Sequence, residues 1–167
     1  IGFMFGTGGS ALVAKTMGEG DKKRANEQFS LITYTSIILS IIIAAVSFIF
    51  MEEIATLLKA EGELLTNSVL YGRILCLAVP FYVLQFEFQS FFVTAEKPKL
   101  GLYMTLLCGI TNMILDWLFI AVFDWGLKGA ASATAISQFI GGVFPLIYFL
   151  RENTSLLRLS KTKFNLW

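Results

Sequence analysis

The charged residues of this 167-residue chain fall in short clusters separated by long apolar runs, whereas a helix on the surface of a water-soluble protein shows polar positions every three or four residues. A helix needs about 20 predominantly apolar residues to cross a bilayer, and five stretches approach that size. The first is a short run over 1–14, and the second, 29–51, carries no charge at all and reads as lipid-facing structure. Arg73 and Glu87 interrupt the third, 64–95, and Pro80 within it predicts a bend, because proline removes a helix hydrogen bond. The fourth, 100–123, surrounds a single acid, Asp116. The fifth, 127–150, has Lys128 at its mouth and Pro145 near its far end. This pattern predicts an all-α, polytopic transmembrane helix bundle with about five spanning helices.

Polar connectors at 15–28, 52–63, 96–99 and 124–126 are too short to form domains. Residues 1–150 therefore read as one membrane-embedded unit and 151–167 as a basic connector leading out of it. The chain opens with IGFMF, without an initiator methionine, and basic residues follow its first apolar run instead of preceding it. That order argues against a secretory signal peptide and for a fragment beginning inside a longer protein.

Composition agrees with the pattern: 56% of residues are hydrophobic, 15% are charged, and the mean hydropathy is +0.71, too apolar for a soluble domain of this length. The net charge of +1 gives no reason to expect a nucleic-acid partner. There is no histidine, and Cys76 and Cys108 lie inside apolar runs, where packing explains them better than a disulfide or a metal site. If the spans alternate, one side of the membrane carries Lys15, Lys22, Lys23, Arg24, Lys97, Lys99, Arg151, Arg158, Lys161 and Lys163. The other carries only Lys59 and Lys128, with Glu52, Glu53, Glu61 and Glu63 crowding one loop. By the positive-inside rule, 15–28, 96–99 and 151–167 are expected to be cytoplasmic, and a miscount by one span would scramble the asymmetry.

An acid at membrane depth costs about 2.5–3.5 kcal/mol on insertion scales, which makes Asp116 a candidate functional residue. Asn112 lies one turn earlier on the same helix face. The next helix returns antiparallel, and counting at about 1.5 Å per residue from the tight turn sets Asp116 level with Thr134, and Asn112 level with Gln138. A polar cluster in the outer half of the bilayer is the expected result. The run from Gly129 to Ala133 is small enough for close backbone approach. The alternative for Thr134 and Gln138 is interhelical glue. Glu87 is a second buried acid with no evident partner, readable either as a helix-pairing residue or as an accessory cavity or ion-binding group, while Arg73 suits snorkelling. The aromatics Phe81, Tyr82, Phe86, Phe88, Phe91 and Phe92 suit lipid contact or core packing. Gly6, Thr7, Gly8 and Gly9 are not followed by a lysine and serine or threonine pair at the spacing of a phosphate loop and suit helix packing.

Three segments carry a family resemblance: GTGGSALVAKTMGEGDKKRANE from Gly6 to Glu27, NMILDWLFI from Asn112 to Ile120, and GLKGAASATAISQ from Gly126 to Gln138. They resemble, in order, the second helix with its following loop, the fifth helix and the sixth helix of the multidrug and toxic compound extrusion family. The resemblance implies twelve helices in two six-helix lobes, of which this chain would supply the second to sixth helices, leaving the first helix and the second lobe outside it. It implies secondary active export of amphipathic or cationic small molecules in exchange for protons or sodium, without a cofactor, from a cell membrane such as the bacterial inner membrane. In several members an asparagine and an aspartate on the fifth helix and a threonine on the sixth form a cation site, and Asn112, Asp116 and Thr134 fall on those positions. By the same resemblance sodium, if bound, would sit there, and the family's first-helix aspartate is not in this chain. The alternatives are a flippase for lipid-linked sugars, which would need more basic residues at membrane depth than Arg73, and a non-transporting membrane scaffold, which would need no buried acid. An intramembrane enzyme is not expected, since no nucleophile–base pair or metal set is visible.

Overall fold

The computed structural model describes residues 1–159, and all of its regular structure is helical. Six α-helices follow in order: α1 (Gly2–Gly18), α2 (Lys22–Ile49), the short α3 (Met51–Leu57), α4 (Gly62–Thr94), α5 (Pro98–Asp116) and α6 (Gly126–Leu150). A π-helical turn, Trp117–Val122, continues α5. Four helices, Lys22–Ile49, Gly62–Thr94, Pro98–Val122 and Gly126–Leu150, are long and apolar enough to cross a membrane. The first of the five expected spans differs. With 17 residues, α1 reaches roughly 25 Å at about 1.5 Å per residue, short of a hydrocarbon core of about 30 Å.

Helices also extend into stretches that read as connectors. Asp21 caps α2 by accepting the Arg24 backbone N–H at 3.0 Å, so α2 starts at the basic cluster instead of at Phe29. Gly20 makes the preceding turn at φ +88°, a conformation open mainly to glycine. Pro98 occupies the first turn of α5, where its missing N–H has no intrahelical partner to lose. Helix α4 runs on through Pro80, and α6 through Pro145.

The spine of the fold is α4, which packs against every other α-helix, with α1 and α2 on one side and α5 and α6 on the other. Glycines set how closely the backbones approach. A Cβ on Gly2 would lie 2.7 Å from the Val83 carbonyl oxygen, and one on Gly142 would lie 2.6 Å from that of Phe81. In lipid, where apolar burial gives helices no advantage over acyl chains, such close packing and interhelical hydrogen bonds hold a bundle together.

At the end of the bundle nearest the basic loops, Phe29 of α2, Phe88 and Phe91 of α4 and Phe149 of α6 form a fully buried knot, with Phe29 and Phe149 ring centroids 5.0 Å apart. Part of the aromatic cluster expected on α4 therefore does core packing, while Tyr82 stays exposed. Residues 151–159 fold back over this knot instead of leading away from it. Leu157 is buried, the Leu159 N–H donates to the Phe149 carbonyl at 2.9 Å, and the Arg158 N–H donates to Asn26 Oδ1 at 2.6 Å. Lys161 and Lys163, counted above among the basic residues, lie outside the described residues.

Candidate cation site and buried acid cluster

Asp116 closes the α-helical part of α5, and the chain passes directly into the π-helical turn, where the Phe123 N–H reaches back five residues to Leu118 at 3.0 Å. Such turns are frequent at functional sites. Phe119 stacks on both Phe123 and Trp125 here, its centroid 5.0 Å from that of Trp125, while the Phe123 and Trp125 rings are tilted to each other. Asp116, Asn112, Thr134 and Gln138 are all half-buried. Among the described residues no hydrogen bond or ion pair joins the Asp116 carboxyl to another group, and the buried Asn112 Nδ2 and Gln138 Oε1 have no partner either.

The register between α5 and α6 differs from the depth count. Gly129 packs on Phe119, with a Cβ there only 3.1 Å from the Phe119 carbonyl oxygen. Further in, the Cys108 thiol donates to the Ser137 carbonyl at 3.1 Å. Counting antiparallel from these two contacts sets Thr134 opposite the stretch from Thr111 to Ile114, and Asp116 opposite the stretch from Gly129 to Ser132. Thr134 is thus level with Asn112, and Asp116 stands about one turn further out. The physical reason is the π-helical turn, which winds more residues into the end of α5 than a regular helix does, so distance from the turn does not measure depth equally on the two helices.

Glu87 is built differently. It is fully buried, and two α2 residues one turn apart hold it: Thr33 Oγ1 donates to Glu87 Oε1 at 2.8 Å, and Ser36 Oγ contacts Glu87 Oε2. Ser36 Oγ also lies 2.9 Å from the Thr33 carbonyl oxygen. Gly6 of α1 covers the α4 backbone here, a Cβ at that position falling 3.2 Å from Glu87 Cα. The acid without an evident partner has two, then.

Helix α2 is correspondingly two-sided. Ile38, Ile41 and Ile42 face outward, as expected of a lipid-facing span, but Ser30, Thr33, Ser36 and Ser40 are buried. Their spacing of three, three and four residues is a helix period of hydroxyls in an otherwise apolar run, the signal that could have found them. Gln85 was also not singled out. It meets Cys108 at 3.6 Å, and its side chain lies against Gly141. Arg73 is exposed and stands over the Phe48 ring at 5.5 Å.

Residues 1–118 match the MatE family model. The chain belongs to the MatE family. MepA, a multidrug export protein of Staphylococcus haemolyticus, is 35% identical over 156 residues, covering 93% of this chain and 34% of that protein. MepA of Staphylococcus saprophyticus is 33% identical over 153 residues, covering 92% of this chain and 34% of the relative. Among solved structures, a multidrug-resistance MATE transporter in an inward-facing conformation has a TM-score of 0.88 at 21% identity, covering 95% of this chain and 36% of that one. An outward-facing conformation also gives 0.88. The chain spans about a third of the length of these relatives. The MatE relatives are transporters, not enzymes, and the chain is a multi-pass membrane portion of a protein of that family.

Proposed function

We propose that the MatE protein to which these helices belong is a secondary active exporter of amphipathic or cationic organic compounds, driven by protons or sodium, with Asp116 as the coupling-ion site and Asn112 and Thr134 beside it. The observation that carries this reading is an acid at membrane depth with no pairing group among the described residues. An arrangement kept only for helix packing would be expected to spend such a carboxyl on a hydrogen bond or an ion pair. Asn112 supplies an unused amide one turn away on α5, and Thr134 supplies a hydroxyl at the depth of Asn112. Ionised Asp116 holds a cation or a positively charged substrate, and protonation or sodium binding from the far side displaces it. Gln138, a turn deeper on α6 with an unpaired carbonyl oxygen, is an accessory polar group of the same seam.

The basic loops 15–28, 96–99 and 151–167 face the cytoplasm in this reading, and the membrane is a bacterial inner membrane. Efflux of a fluorescent organic cation from vesicles holding the full-length protein, measured under separate sodium and pH gradients, tests the assignment. The wild type responds to one gradient, and Asp116→Asn loses that response. Undiminished ion-driven efflux by Asp116→Asn would rule out the coupling role.

A further inference from the structure

At the basic end of the bundle α2 and α6 meet over α4, where the Phe29 and Phe149 rings lie 5.0 Å apart. Towards the other end no backbone approach between α2 and α6 exists among the described residues, and α4 is left with an open groove. The part nearest that end, about 430 Å³, runs along α4 past Leu70, Arg73 and Ile74 and is bounded by Phe48 of α2 and Glu52 of α3. Its last wall residue, Leu77, also lines the next stretch, about 260 Å³ between α4 and α6. There the remaining walls are Ala78, Phe81, Ala135, Ile136 and Phe139. The two stretches make one groove with a charged mouth and a wholly apolar interior.

The mouth is held in place from both sides. Met51 of α3 packs on Gly72 of α4, which sets the first turn of α3 beside Arg73. The Arg73 guanidinium stands 5.5 Å from the centre of the Phe48 ring, an attraction that uses none of its five N–H donors. Arg73 and Glu52 are both exposed, and among the described residues neither side chain forms an ion pair or a hydrogen bond with the other or with any further group. Opposite charges that share a groove without neutralising each other suit a ligand that carries both signs. A phosphate accepts from the guanidinium, and an ammonium donates to the carboxylate. A headgroup with net negative charge fits less well, because Glu53, Glu61 and Glu63 stand in the same loop region as Glu52.

We propose that this groove binds a phospholipid with a phosphoethanolamine headgroup, its phosphate on Arg73, its ammonium on Glu52 and one acyl chain running past Ile74 and Leu77 into the apolar stretch between α4 and α6. Headgroup recognition by charged side chains between spanning helices, with apolar walls for the chain, is the usual physics of a specific lipid site. The groove opens beside α2, whose Ile38, Ile41 and Ile42 face outward into the same apolar surroundings. Placement in the outer leaflet rests on the orientation proposed above, whereas the site itself does not.

The test uses the full-length protein in detergent, read by native mass spectrometry and thermal unfolding, with phosphatidylethanolamine and phosphatidylglycerol of identical acyl chains as probes. In the wild type, phosphatidylethanolamine should be retained more than phosphatidylglycerol and should raise the unfolding temperature further. Arg73→Gln should lose both the retention and the rise, and Glu52→Gln should bring the two lipids level. Lys128→Gln removes a cation at the same end of the bundle but outside the groove, and it should respond as the wild type does. Glycerophosphoethanolamine, the same headgroup without chains, should give no rise. Equal responses of the wild type to the two lipids overturn the proposal, and they are also the result expected if a part of the protein beyond this chain fills the groove. A wild-type response in Arg73→Gln, a lost response in Lys128→Gln, or a rise with the chainless headgroup overturns it as well. Should Arg73→Gln fail to fold, Glu52→Gln carries the test, and an undiminished preference for phosphatidylethanolamine in that variant overturns the assignment. None of these readouts depends on transport activity, so failure of the exporter reading would leave them unchanged.

Discussion

The α2–α4 interface and the α5–α6 seam each hold an acid at membrane depth, yet they handle it in opposite ways. Glu87 is wholly buried and fully engaged by two hydroxyls of a neighbouring helix. Asp116 is half-buried and unpaired among the described residues, and it lies one turn along α5 from an asparagine with a buried amide nitrogen unused. The first arrangement ties the acid into the contact between two helices. The second keeps its hydrogen-bonding capacity in reserve, which suits an ion or a substrate that comes and goes. Burial of an acid is therefore not enough to identify its job in a membrane protein. How many donors the acid already has is the better guide.

That contrast can be broken experimentally, and the largest effect is expected at the seam, where Asp116→Asn should reduce ion-driven efflux to the level of vesicles without protein while leaving the folded yield unchanged. Equal losses of yield and of efflux would make the seam a structural element like its counterpart. Next in size is Gly142→Val. Its added bulk meets the Phe81 carbonyl within 2.6 Å at the Cβ alone, so α6 must move off the spine. A cost of about 1–3 kcal/mol, typical of overpacking, should appear as a lower unfolding temperature in detergent.

Thr33→Val removes one of the two hydroxyls on Glu87 and should cost about 1 kcal/mol, the usual scale of an interhelical hydrogen bond in a membrane. The comparison is sharpest between that variant and Thr134→Val. The Thr134 hydroxyl has no hydrogen bond among the described residues, so its removal should change stability by less than about 0.5 kcal/mol while lowering transport. A stability loss at Thr134 equal to that at Thr33 would turn Thr134 back into glue. The smallest effect is expected for Gly109→Ala, where a Cβ meets nothing within 4 Å. The change should be a gain of about 0.5–1 kcal/mol from helix propensity, visible as a slightly raised unfolding temperature.

Much of this was legible from spacing alone. The charge-free runs located the four long helices to within a few residues at most ends, the main exception being α2, which begins at Lys22 because Asp21 caps it. Asn112 and Asp116 could be paired from their one-turn separation. The partners of Glu87 were harder to see, because they lie 51 and 54 residues away on another helix, and no local pattern says which face of α2 meets which face of α4. The whole span reads as lipid-facing, and its buried hydroxyl stripe of Ser30, Thr33, Ser36 and Ser40 emerges only from the packing of α2.

The chain's order of apolar and charged residues by itself determined that it is a helical membrane protein, where its helices lie and which residues are costly enough at membrane depth to be of interest, because in lipid every backbone polar group must be satisfied within its own helix. Only the tertiary structure decided how those helices register. The π-helical turn after Asp116 displaced the expected level of Thr134, and close glycine contacts placed α1 and α6 on the spine. Depth and partnership are properties of two helices at once, set by packing and by the way each one ends, and neither can be counted along a single run of residues.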